Sequence, residues 1–149
     1  MQACNPSIFA HMDVTITIDK DAVMSDVYKI TGYTGAKSGD MDKISSSEDE
    51  LSLLVGYYDD ALSFISDIVS GVGYLSGEGS LCLNLPANWN SKVKTALEKS
   101  MKKYTVSYIC MQWFNLTKKD DVKYYEDLCS DCSLSIRRYL AERIKPTRK

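Results

Sequence analysis

The segment of residues 48–69, EDELSLLVGYYDDALSFISDIV, carries more apolar side chains than one buried face of a helix needs. At about 100° per residue, one apolar set falls within about 60° of Leu51. This spacing predicts an amphipathic helix whose first stripe faces the protein core. The stripe consists of Leu51, Leu54, Val55, Tyr58, Leu62, Ile65 and Val69.

A second apolar stripe lies on the same predicted helix, at roughly 200–260° from the first. Its members are Leu53, Tyr57, Phe64 and Ile68. A helix with two apolar stripes is either buried on both sides within one chain or contacts another chain. In a chain of 149 residues we predict that these four residues form a subunit interface.

Acidic residues follow the tyrosine pair in the middle of this helix. Asp60 and Asp67 lie almost opposite the core stripe, and Asp59 lies on its flank. Acids that transfer protons in catalysis need to reach a substrate in a pocket. We therefore predict that these aspartates are solvated or pair with lysines of a neighbouring copy.

The remaining segments predict a mainly α protein, a small bundle of about four helices with a short extended β segment or loop between helices. Apolar periodicity and capping signals predict further helices over residues 19–37, 90–115 and 118–144. Alternating residues predict short strands at residues 13–18 and 81–86. The glycines of residues 70–80 predict a turn or flexible loop.

The chain is expected to form one helical domain, residues 13–145, between an N-terminal arm, residues 1–12, and a basic tail, residues 146–149. In the predicted helix 90–115 the core stripe is Val93, Ala96, Leu97, Tyr104, Tyr108 and Met111. In the last helix it is Val122, Tyr125, Cys129, Cys132, Ile136, Tyr139 and Leu140. Thr117 and Asp120 have the spacing of a capping box before that helix.

Charge is distributed unevenly along the chain. Residues 1–90 carry a net charge of −9 and residues 91–149 a net charge of +7, which together give −2. This asymmetry suits head-to-tail packing, in which an acidic part of one copy faces a basic part of the next. The alternative is that the two halves neutralise each other within one chain.

Residues that could carry chemistry are few. The motif CSDC, residues 129–132, falls mid-helix on the apolar stripe, which favours buried thiols over a redox or metal site. His11 is the single histidine, and GYTGAKSG, residues 32–39, lacks the Walker spacing. We therefore predict no catalytic, cofactor or metal site, and so no enzyme. Without a signal peptide or an apolar run of membrane length, we expect a soluble protein with free thiols.

The order of these elements resembles the head–tail connector (adaptor, or head-completion) proteins of tailed bacteriophages over residues 48–144. Ala61 and Ile65 match the A-x-x-x-I/L pattern of the first core helix in that family. An extended segment bounded by Pro86 precedes a helix with Lys94 and Ala96 near its start. A tyrosine-containing last helix, with YYEDL and IRRYL, closes the bundle. Residues 1–47 lie outside the resemblance.

The resemblance implies a structural virion protein of the neck, made in the host bacterial cytoplasm. Such proteins form a homo-oligomeric ring, typically of twelve copies, between the portal protein and the tail or stopper proteins. DNA passes through the channel without sequence-specific contacts. Candidate contacts with channel DNA or with a neighbouring copy are Lys92, Lys102, Lys145, Arg148 and Lys149. No cofactor and no membrane contact are expected.

A small helical protein–protein interaction module without catalysis is the alternative function. A regulator or a toxin-neutralising partner would show the same charge asymmetry and the same lack of catalytic residues. The basic residues of the second half are also compatible with an ordinary solvated surface. The sequence leaves these alternatives open.

Overall fold

A computed structural model of the chain describes residues 11–38, 51–77 and 79–144. Over this part of the chain the protein is mainly α, as predicted, with four helices and a small three-stranded sheet. The helices are α1 (Lys20–Ser38), α2 (Leu51–Ile68), α3 (Lys94–Thr117) and α4 (Val122–Ala141). The strands are β1 (His11–Thr17), β2 (Gly73–Gly77) and β3 (Ser80–Pro86).

The sheet has the order β1-β3-β2 and both pairs are antiparallel. In the register, Leu83 lies opposite Val14 on one side and Gly73 on the other. Strand β1 begins at His11, two residues inside the predicted arm. The central strand β3 contributes Leu81, Leu83 and Leu85 to the core, which is why the alternation of residues 81–86 predicts it well.

Strand β2 corrects the prediction of a loop over residues 70–80. The glycines there allow close packing rather than a flexible connection. A Cβ atom on Gly73 would lie 2.2 Å from the carbonyl oxygen of Cys82. Gly79 has a φ of +81°, and a Cβ there would lie 2.5 Å from the carbonyl oxygen of Ile18. Both positions therefore require glycine for the β2–β3 hairpin to lie against the rest of the fold.

The first stripe of α2 faces the core, as predicted. Five members of the predicted stripe are buried, namely Leu54, Tyr58, Leu62, Ile65 and Val69, as is Ala61, and Val55 is partly buried against them. The side chain of Leu51, also a member of the predicted stripe, lies outside the described part of the chain. The hydroxyl of Tyr58 donates a hydrogen bond of 2.7 Å to the carbonyl oxygen of Ile18, just after β1. This bond joins the middle of α2 to the sheet.

We expect Tyr58→Phe to lower the free energy of unfolding by about 1–2 kcal/mol, because the buried Ile18 carbonyl loses its side-chain donor. Urea unfolding followed by circular dichroism measures the change. Tyr124→Phe is the matched control, since Tyr124 is exposed and its replacement should stay within about 0.5 kcal/mol. Equal effects of the two substitutions would contradict the role of this bond.

Helix α3 is central and changes its buried side along its length. Its first half buries Leu97, Met101 and Tyr104 on one side, as the predicted stripe requires. Its second half buries the opposite side, through Ile109, Cys110, Trp113 and Phe114. The predicted stripe is therefore wrong beyond Tyr104, and its members Tyr108 and Met111 are only half-buried. The change occurs because α1, α2 and α4 all contact α3.

Helix α4 packs along α3, and the apolar stripe predicted for α4 faces the core. Cys129, Cys132 and Ile136 are buried, and Val122, Tyr125, Tyr139 and Leu140 pack partly buried against the core. The prediction of a capping box at Thr117 and Asp120 is wrong, because the hydroxyl of Thr117 donates a hydrogen bond to the Trp113 carbonyl within α3. The helix also ends at Ala141 rather than at residue 144.

The segment after α4 packs against the loop that follows β3 and is held there by hydrogen bonds. The indole Nε1 of Trp89 donates to the Tyr139 carbonyl at 2.8 Å, and Trp89 forms an isolated antiparallel bridge with Arg143. The Ile144 amide donates to the Asn88 carbonyl at 2.8 Å. The C-terminal end of the described chain is thus fixed next to the start of α3. Among the described residues, no helix combines the length and apolar character that a membrane crossing requires.

Candidate subunit-contact surface

The second apolar stripe of α2 is divided between solvent and the edge of the core. Leu53 and Phe64 remain exposed over 40% and 46% of their surface. Tyr57 and Ile68 are half-buried and pack against the core. A contiguous exposed apolar patch, rather than single exposed side chains, is typical of a contact with another molecule. The subunit interface thus stays a prediction, and Leu53 and Phe64 have the surface to contribute most to it.

Phe64 begins a row of aromatic rings that crosses from α2 to α3. Its ring centroid lies 5.4 Å from that of Tyr108, at an interplanar angle of 53°. The Tyr108 ring in turn stacks on Tyr104, at 6.5 Å and 13°. Beyond Tyr104, a shallow groove of about 430 Å³ leads to the exposed side chain of Leu134 on α4. Phe64, Tyr108 and Leu134 thus place exposed or half-buried apolar side chains on three neighbouring helices, while Tyr104 between them is buried.

Burial raises the pKa of both tyrosines of this row above the usual tyrosine value, so both stay uncharged at ordinary pH by a wider margin. Burial, followed by the charges of Cys129, Tyr108 and Cys132, raises the pKa of Tyr104 to about 12. The pKa of Tyr108 is raised first by burial and next by the carboxylate of Asp60. The row therefore presents apolar ring surface and neutral hydroxyls rather than phenolates.

Aspartates flank the exposed phenylalanine along α2. Asp60 precedes Phe64 by four residues and Asp67 follows it by three, and both are exposed, as predicted. Residues three and four apart are neighbours on one helix surface. We name Asp60, Phe64 and Asp67 the acidic–aromatic face. An apolar ring between two carboxylates fits a partner with an apolar centre and a basic margin.

A basic groove of about 300 Å³ lies between α1 and α3. Lys102 Nζ lies 3.2 Å from Asp26 Oδ2 across it, and both side chains stay about 40% exposed. Such a surface ion pair contributes little to stability. Four lysines against one aspartate leave a net positive charge, and we name these lining residues the lysine groove: Asp26, Lys29, Ile30, Lys99, Lys102, Lys103 and Val106.

Lys92, another of the predicted basic residues, is not part of this groove. Lys92 is exposed in the short 3₁₀ turn Ser91–Val93, where its amide donates to Asn90 Oδ1 at 3.2 Å. Lys145, Arg148 and Lys149 lie outside the described residues. Of the two predicted basic residues that the structure describes, Lys102 lines the lysine groove and Lys92 does not.

Sequence reasoning found one lysine of the groove and missed three. Lys99, Lys102, Lys103 and Val106 follow the i, i+3, i+4, i+7 pattern of one helix face, and this signal could have found the α3 side. Lys29 and Asp26 come from α1, more than 60 residues earlier. Only the packing of α1 on α3 brings these two residues to the groove.

The CSDC thiols are buried, as predicted. Burial, followed by the charges of Cys132 and Glu126, raises the pKa of Cys129 to about 12. Burial also raises the pKa of Cys132, against a smaller lowering by Lys103. A thiol with a raised pKa carries little thiolate and is a poor nucleophile. The motif therefore packs as small apolar side chains between α4 and α3.

A cleft of about 860 Å³ lies where β1 leads into α1. Asp19, Asp21 and Asp59 line it, together with Lys20. Within the described ranges, no group of three or more histidine, cysteine, aspartate or glutamate side chains could hold a metal ion. The Tyr58 hydroxyl at its wall is already bonded to the backbone. The residues that line the cleft therefore do not indicate a binding site for a metal ion or for a particular substrate.

No protein-family model, curated protein or solved structure matches this chain.

Proposed function

We propose that this protein is a structural virion protein, a head–tail connector that forms a ring between portal and tail around the DNA channel. The observation that carries the proposal is the exposed apolar surface of α2, at Leu53 and Phe64. A chain that leaves such side chains exposed beside a tyrosine row has a contact surface that one copy alone does not cover.

Surfaces of opposite charge support a ring rather than a symmetric pair. In a ring, each copy uses two different surfaces, one for each neighbour. Exposed acidic residues of α2 and the lysine groove of α1 and α3 provide two such surfaces. The order of α2, the β2–β3 hairpin, α3 and α4 also agrees with the element order of the connector family.

In this proposal the protein has no catalytic step. Its copies pack side by side, bind the portal protein on one side and tail or stopper proteins on the other, and keep the channel open for DNA. Lys92, Lys102 and the basic residues Lys145, Arg148 and Lys149 lie near the DNA phosphates or contact a neighbour. Contacts of this kind are independent of sequence and weaken as salt increases.

A helical partner-binding module is the second candidate function. The same exposed stripe of α2 would then receive a different protein. The two functions differ in what purified chain does alone, since a connector self-associates into a closed ring and a partner-binding module stays monomeric.

We expect the double substitution Leu53→Ser and Phe64→Ser to abolish self-association while the monomer stays folded, because both side chains are exposed in the monomer. Sedimentation velocity and electron microscopy measure assembly, and circular dichroism measures the fold. Assembly should weaken by about 10-fold or more, as expected for loss of apolar anchors at an interface.

Leu116→Ser is the matched control, because Leu116 is even more exposed but belongs to α3 rather than to the stripe of α2. It should leave assembly unchanged. A double variant that unfolds as a monomer would mean that the second stripe belongs to the core. Wild-type protein that remains monomeric at all accessible concentrations would overturn the connector proposal.

A further inference from the structure

The acidic–aromatic face and the lysine groove have complementary chemistry. Asp60 and Asp67 are seven residues apart, which is about 10 Å along the axis of α2, and Phe64 projects between them. In the groove, the half-buried Ile30 and the small exposed part of Val106, which is 8% exposed, provide apolar surface among four lysines. An apolar centre with charges at its margin is the usual anatomy of a protein interface.

These two surfaces point in opposite directions from α3. At about 100° per residue, Lys99, Lys102, Lys103 and Val106 fall within a sector of about 100° on α3. Tyr108, which holds the Phe64 ring, lies about 180° from the middle of that sector. One chain therefore cannot bring its own acidic–aromatic face into its own lysine groove. Two copies can, and the contact is head to tail.

Resting on the ring function proposed above, we propose that the acidic–aromatic face of one copy binds in the lysine groove of the next. Phe64 packs on Ile30 and Val106, and Asp60 and Asp67 pair with Lys99, Lys103 and Lys29 at the margin. The occupant of the groove is thus a second copy of this chain.

The groove fits an acidic protein surface better than nucleic-acid phosphates. Ile30 and Val106 line the groove beside the lysines, and a phosphate has no apolar group that could pack on them. An aromatic side chain flanked by carboxylates uses both parts of the groove. Charge complementarity of this kind sets register and excludes wrong pairings.

Charge reversal tests the pairing. Asp60→Lys with Asp67→Lys gives an acid-reversed chain, and Lys99→Glu with Lys103→Glu gives a base-reversed chain. All four residues are exposed, so both chains should fold. Each alone should need a protein concentration on the order of 100-fold higher to assemble, because like charges then face each other. An equimolar mixture should assemble as the wild type does, with the two chains alternating.

Matched controls change the same charges elsewhere. Asp120→Lys with Glu126→Lys, and Lys119→Glu with Arg137→Glu, alter exposed residues of the α4 region. These chains should assemble as the wild type does. Native mass spectrometry of the mixture, with one chain isotope-labelled, reports whether the two reversed chains alternate.

The possible results distinguish a failure of the proposed pairing from a failure of ring formation as such. A wild type that assembles, reversed chains that do not, and recovery on mixing support the pairing. Reversed chains that still assemble, or a mixture that does not recover, overturn the pairing and leave the ring intact. A base-reversed chain that assembles but no longer retains DNA also overturns it, since the groove would then bind phosphate. A monomeric wild type overturns both proposals.

Discussion

Replacing Trp89 with alanine is expected to lower the free energy of unfolding by about 3–5 kcal/mol. Trp89 is 1% exposed and belongs to the main hydrophobic cluster. Truncation leaves a cavity and removes the indole donor of the Tyr139 carbonyl, 2.8 Å away. Urea unfolding followed by circular dichroism measures the loss, at constant protein concentration so that self-association does not contribute.

The same substitution should loosen the C-terminal segment more than the sheet. Asn90 donates to the Glu142 carbonyl at 3.2 Å, and Ile144 donates to Asn88 on the other side of Trp89. Hydrogen exchange at Glu142, Arg143 and Ile144 should therefore become faster in Trp89→Ala, while exchange in β3 changes only with global stability.

Trp89→Phe is the matched control, because it keeps an aromatic ring in the core while it removes the N–H donor and the smaller ring of the indole. It should lower the free energy of unfolding by about 1–2 kcal/mol. A loss below about 1 kcal/mol for Trp89→Ala would show that Trp89 does not hold the two segments together.

The spacing of apolar residues along the sequence was sufficient to predict which residues of α4, and of the first stripe of α2, are buried. The fully buried residues of each of these helices keep to one side, so a period of 3.6 residues identifies them. The same reasoning failed for α3 beyond Tyr104, because this helix is enclosed by three others and buries opposite sides in its two halves. A single period cannot represent a helix whose buried side changes.

Strand β2 and the lysine groove depend on contacts that are distant in sequence. Gly73 is in a strand because it pairs with β3 and packs under Leu83, which no local propensity encodes. Likewise, the groove needs Lys29 and Asp26 to reach α3. The α2 part of the candidate interface could be predicted because Leu53 and Phe64 lie on one face of one helix.

Raising the pH from about 9 to 11 should destabilise the fold through buried acids between α3 and α4. Burial, followed by the charges of Cys129 and Asp26, raises the pKa of Cys110 to about 12. Cys129 and Tyr104 also have pKa values raised to about 12, mainly by burial. In an unfolded chain a cysteine titrates near 8.5 and a tyrosine near 10.

The sign follows from which state loses its protons first. Between about pH 8.5 and 12, the unfolded chain releases the Cys110 proton while the folded chain keeps it. The unfolded state therefore binds fewer protons, and the free energy of unfolding falls as pH rises. For Cys110, which is fully buried, the slope approaches about 1.4 kcal/mol per pH unit.

Cys110→Ala isolates this contribution, because it removes the titrating thiol from the interface. Urea unfolding in reducing buffer, from pH 7.5 to 11, should show a shallower fall in the variant, and the difference in slope should approach the value for one group. Ile109→Ala is the matched control: it truncates a neighbouring buried side chain of α3 without removing an acid. It should be less stable at every pH by about 2–5 kcal/mol and keep the wild-type slope. Equal slopes in all three proteins would mean that the Cys110 thiol does not stay protonated in the folded state, and so that the α3–α4 interface admits water.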